Sequence, residues 1–181
     1  MIPIGALDAR PRPALHPARF LTVFVAGYVA LHALYFAIPD RVLRDVVHYY
    51  GIVAPGAAMI SLLAPGEPVL AGRGTLHSPK AKLDIVRGCD GAGLLFLLLS
   101  AVAAFPAGWK QKIWGTLGVL VVGYVLNEAR IVALYFAAVS GERWFAALHN
   151  YFLPTFLIVV SAIFFAGWSA WAARRRLQGS V

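Results

Sequence analysis

The run from Phe20 to Ile38 holds nineteen residues with no Asp, Glu, Lys or Arg among them. At about 1.5 Å per residue it can cross the roughly 30 Å hydrocarbon core of a bilayer. It is longer than the apolar core of a signal peptide, and no small-x-small cleavage site follows it. It is therefore read as a retained first span, closed by Pro39–Asp40. Cys89 to about Ala107, Ile113–Val139 and Phe145–Ala173 are comparably apolar. Hydrophobic residues make up 60% of the chain and charged ones 13%, against about 45–50% and a quarter in a soluble domain. Such a chain cannot clothe itself in polar surface, which excludes a soluble globule and a disordered chain alike. The expected fold is an all-α integral membrane protein of a single domain with about four transmembrane helices.

The segments between these runs complete the layout. Residues 1–19, with Pro3, Pro11, Pro13 and Pro17 among Arg10, Arg12 and Arg19, read as a cytoplasmic basic leader. In 41–64 the apolar residues 42, 43, 46, 47, 50, 53, 54, 57 and 60 form a helical stripe that leaves Arg41, Arg44, Asp45 and His48 off it. That pattern predicts an interfacial amphipathic helix with a kink near Pro55–Gly56. The Gly- and Pro-rich stretch that follows predicts a small extracytoplasmic hairpin, with Pro68–Leu70 and Leu83–Val86 as its strands. The domain is thus divided into leader (1–19), first span (20–38), extracytoplasmic segment (39–88), three-span core (89–173) and basic tail (174–181).

The formal net charge is +8. No basic groove with interleaved aromatics accompanies it, so nucleic acid is not an expected partner, and anionic lipid headgroups are. The compact basic clusters of the leader, of Lys110 and Lys112, and of Arg174, Arg175 and Arg176 fall on one side if both termini are cytoplasmic. A fifth span in 41–64 would move the N-terminus across the membrane and leave 89–173 unchanged in relative alternation.

On this topology Cys89, Arg130 and His149 come from three helices to the outer face at similar depth. A lone Cys packs readily in a membrane helix, and a His at a helix end suits the interface. Arg130 is harder to place without a function, because a central Arg costs about 2.5–3.5 kcal/mol on insertion scales. Its structural alternative is a salt bridge, to Asp90 or to Glu128 of a neighbouring chain. Asn127, three residues before Arg130, shares its helix face. A thiolate is favoured by a nearby cation and a helix N-terminus, and Cys89 opens a helix. His149 would take the thiol proton and return it to a leaving amine. Arg130 would stabilise an oxyanion. Gly88, Gly91 and Gly93 would let a substrate backbone approach the sulfur, or serve helix packing equally well. The chain has no H-E-x-x-H, G-x-S-x-G, Walker or dinucleotide motif, so neither a metal nor a cofactor is expected.

The order Cys89-Asp90-Gly91, Asn127-Glu128-Ala129-Arg130-Ile131 and His149 resembles the exosortase/archaeosortase family of membrane transpeptidase-like enzymes. The Gly66–Gly72 turn and the Ile85–Val86 strand before the Cys add to the likeness, which covers roughly residues 41–165. The resemblance implies a cysteine endopeptidase/transpeptidase with Cys89 as nucleophile, Arg130 as transition-state stabiliser and His149 as acid/base. It implies exported protein substrates bearing a C-terminal tail of short motif, transmembrane helix and basic cluster, cut through a thioester at the outer face of a bacterial inner membrane. Many family members carry Ser or Ala where this chain has Asp90, which would raise the thiol pKa or orient His149. The chain is also short, as a compact subtype would be. Two other readings fit the residues: a non-enzymatic scaffold or assembly subunit built around an Arg130 ion pair, and a small transporter with Arg130 and His149 lining an anion path.

Overall fold

The computed structural model describes residues 16–178; the leader's Arg10, Arg12 and first three prolines lie outside the described residues. Helix α1 (Pro17–Ala37) starts with proline at its first helical position, where a missing N–H costs nothing. Leu21, Val25, Val29, Leu34 and Phe36 stand exposed along it, as expected of a helix whose solvent is lipid. Helix α2 runs without interruption from Asp40 to Leu63.

The sheet follows as three short antiparallel strands, β1 (Leu70–Gly72), β2 (Thr75–His77) and β3 (Lys82–Asp84), in the order β1-β2-β3. Leu70 pairs with His77 and Thr75 with Asp84. Helix α3 (Ala92–Ala104) and helix α4 (Trp109–Ser140) come next. The last helix, α5, comprises Glu142–Ala147, a π-helical stretch Leu148–Phe152, and Leu153–Gln178.

Three expectations change. The 41–64 segment stays helical through Pro55. Leu43–Val53 pairs as a π-helix, and Ala54 N–H still reaches back five residues to Tyr49 before α-helical pairing resumes across the proline, which has no N–H to give. The wider winding also breaks the stripe counted at the α-helical period. Val42, Val46, Val47 and Tyr50 are exposed, whereas Leu43 and His48, five residues apart, are 1% exposed each. At 24 residues the helix is long and apolar enough to cross a membrane. Second, the run from Cys89 to Ala107 yields only the thirteen residues of α3. Gly91, with φ of 82°, delays its start, and Phe105-Pro106 ends it. The four helices of span length are therefore α1, α2, α4 and α5. Third, the two expected strands are not a hairpin. They flank β2, whose three residues carry a single inward apolar side chain, Leu76, too few to show a period.

Two cores hold the helices together. One joins Ile52, Val53, Ala57 and Ile60 of α2 and Leu76 and Leu83 of the sheet to Ile131–Tyr135 of α4. The other, toward the opposite end of α4, joins Leu98 and Val102 of α3, Val119 of α4 and Trp168 and Ala172 of α5. The sheet is tied to α4 by polar contacts as well. The Tyr135 hydroxyl lies 3.1 Å from Glu67 Oε1 and 2.7 Å from Ser78 Oγ, and Lys80 Nζ donates to Glu67 Oε2.

Candidate active site

The turn 88–91 joins the sheet segment to α3, and every neighbouring element grips it. Gly88 and Gly91 have φ of 89° and 82°, a region that L side chains rarely enter. Just upstream, Arg87 crosses to the C-terminus of α1. Its guanidinium donates to the carbonyls of Tyr35 (2.6 Å) and Ile38 (2.9 Å) and to Asp40 Oδ1 (2.7 Å), and it lies over the Tyr35 ring. This cation adds to the capping of the α1 C-terminus, where the Tyr35 carbonyl also accepts from the Ile38 N–H.

Cys89 is half-buried, and its backbone N–H donates to Val86 O at 3.0 Å. It does not open the helix, as its sequence position had indicated: the first helical residue is Ala92. Its carbonyl accepts from Arg130 Nη1 of α4 at 3.1 Å. Arg130 Nε is buried without a hydrogen-bond partner. The alternative salt bridge from Arg130 to Asp90 is absent among the described residues. Asp90 is engaged elsewhere, and both carboxylate oxygens of Glu128 are buried with no partner.

His149 lies in the π-helical stretch of α5, its ring stacked on Phe145 with centroids 5.4 Å apart. Leu153 N–H bonds to Leu148 O, again five residues back and again one residue ahead of a proline, Pro154. His149 and Cys89 line one cavity of about 220 Å³, walled by Leu83–Val86, Ile131, Leu134 and Phe145. His149 Nδ1 is buried and unpartnered. Arg130 and Asn127 line a second cavity of about 370 Å³, together with Gly88 and Gly91. Cys89 is not among the residues that line this second cavity. Asn127 packs on the turn so closely that a Cβ on Gly91 would stand 2.6 Å from its Oδ1.

Asp90 does not orient His149. Its Oδ2 accepts from the Tyr35 hydroxyl of α1 and from His48 Nε2 of α2 (3.0 Å), and its Oδ1 from the Ala92 N–H (3.2 Å). His48 and Tyr35 escaped the sequence reading. In the sequence His48 stands off the apolar stripe, and Tyr35 lies within the apolar first span. The one available signal was a tyrosine inside a first span otherwise poor in polar groups.

The arrangement puts a thiol and an imidazole on one cavity and a guanidinium, most of its five donors uncommitted, behind the thiol's own carbonyl. It can support nucleophilic attack with proton transfer and oxyanion stabilisation. No group of three or more His, Cys, Asp or Glu side chains converges among the described residues. A family model described as transmembrane exosortase matches residues 18–167. No curated protein and no solved structure matches the chain.

Proposed function

Because the chain belongs to the transmembrane exosortase family, we propose that it is a membrane-embedded cysteine endopeptidase/transpeptidase acting at the outer face of a bacterial inner membrane. Its substrates would be exported proteins with a C-terminal tail of motif, transmembrane helix and basic cluster. The observation that carries this reading is the shared cavity of Cys89 and His149, with Arg130 bonded to the Cys89 carbonyl.

In this reading His149 takes the Cys89 thiol proton as the sulfur attacks the scissile carbonyl. Arg130, which bonds the Cys89 carbonyl through one N–H, would turn another of its donors to the negative charge that develops on the substrate's carbonyl oxygen. The C–N bond breaks as His149 returns the proton to the leaving amine, and the tail departs. A thioester to Cys89 remains. Water or an amine then attacks it, giving its proton to His149, and the sulfur leaves as the new acyl product forms. Asn127 supports the site by packing against Gly91.

The test is processing of a tailed substrate co-expressed with the full chain. Cys89→Ala and Cys89→Ser should abolish cleavage while the protein accumulates normally. Arg130→Gln should lower turnover by about 10²–10³-fold, the usual loss for one oxyanion donor. Cleavage that survives Cys89→Ala overturns the reading. A tolerated Cys89→Ser beside an unstable Arg130→Ala would point to an assembly subunit, and thiol-independent solute flux to a transporter.

A further inference from the structure

A carboxylate next to a nucleophilic thiol is a liability, because its charge opposes formation of the thiolate. Asp90 follows Cys89 directly, yet it takes no part in the cavity that Cys89 shares with His149. It is drawn off by donors from two other elements. Tyr35 of α1 and His48 of α2 both reach Oδ2, and the Ala92 N–H holds Oδ1. Tyr35, His48 and Asp90 are 8%, 1% and 9% exposed, so water cannot substitute for the lost partners. With the carboxylate accepting, His48 Nε2 carries the proton and Nδ1 is left without a partner.

We infer that His48 and Tyr35 are positioning residues for Cys89: they clamp the Asp90 carboxylate away from the thiol, so that the sulfur ionises beside His149 and Arg130 rather than beside an anion. The consequence for catalysis rests on Cys89 being the nucleophile. The clamp itself does not, and it can be read without any substrate.

Cys89 is the single cysteine of the chain, so N-ethylmaleimide applied to the full-length protein in detergent at fixed pH reports on this thiol alone. His48→Phe should slow its alkylation by about fivefold or more and Tyr35→Phe by about two- to threefold, as the released carboxylate disfavours the thiolate. His48→Gln, which keeps an N–H donor, should stay within about twofold of wild type. The decisive variant is the double one. Asp90→Asn carries no charge, so adding it to His48→Phe should restore the rate. A structural role would make the double variant as slow as the single or slower, and that result overturns the clamp, as does a His48→Phe rate equal to wild type. Should His48→Phe fail to accumulate, Tyr35→Phe with and without Asp90→Asn gives the same comparison, and a Tyr35→Phe rate equal to wild type counts against the clamp. Cleavage surviving in Cys89→Ala would sink the enzymatic reading while leaving the alkylation result intact.

Discussion

Gly91 admits no side chain on two grounds. Its φ of 82° costs an L residue about 1–2 kcal/mol, and a Cβ there would press to 2.6 Å from Asn127 Oδ1 and 2.8 Å from its Cγ. Gly91→Ala should therefore still insert, lower the midpoint of thermal unfolding, and cut substrate processing more steeply than stability, because the displaced turn carries Cys89. Equal processing by variant and wild type would show that the turn's geometry does not matter. At this scale the sequence exposed the residues whose chemistry is foreign to an apolar run: Cys89, Arg130, His149, Asn127 and Asp90. It concealed their partners. Among the described residues Arg130 shows no acidic partner but bonds a backbone carbonyl, which no side-chain pattern encodes. Asp90 faces His48 and Tyr35, 42 and 55 residues away in the chain.

At the scale of elements, the sheet and the helices are held by different means. The sheet leans on Glu67. Its carboxyl is held below its ordinary 4.5 first by the hydrogen bond from Lys80, then by Ser78 and Tyr135, against the opposing effect of burial. A carboxyl with a depressed folded-state value contributes stability that is present above the unfolded value and is lost as pH falls through the folded one. Amides of β2 and β3 should therefore lose hydrogen-exchange protection on acidification below 4.5, and Glu67→Gln should flatten that dependence. Unchanged acid sensitivity in Glu67→Gln would assign it to other carboxylates. Helices α4 and α5 instead meet through small residues. A Cβ on Gly115 would lie 2.5 Å from the Trp168 indole, whose Nε1–H donates to Gln111 O at 3.1 Å. Gly115→Val should lower the unfolding midpoint in detergent by several degrees, and Trp168→Ala in the same chain should recover part of the loss. Helix existence was legible here from run length alone. Helix extent was not. The α3 run is cut short by a backbone turn at Gly91, and the inward face of α2 is set by π-helical pairing, which a 3.6-residue count misassigns.

Across the whole molecule, the turn, Arg130 and His149 gather at the C-terminal half of α4, and the Gly115–Trp168 contact lies near its other end. The basic residues Lys110 and Lys112 begin α4 at that second end, and the positive-inside tendency supports the proposal that Cys89 faces outward. A membrane-impermeant maleimide added to intact cells should label Cys89, and Cys89→Ser should abolish the signal. Labelling only after the membrane is breached would reverse the orientation. The two ends are also linked in phase. His149 rides on five loosely wound residues that stop just before Pro154, and the rest of α5 takes its bearing from them. Removing one residue from that stretch would swing everything beyond it by about 100° around the helix axis. Trp168 would then turn away from Gly115, so the slack beside the thiol dictates how the far end, beside Lys110 and Lys112, closes.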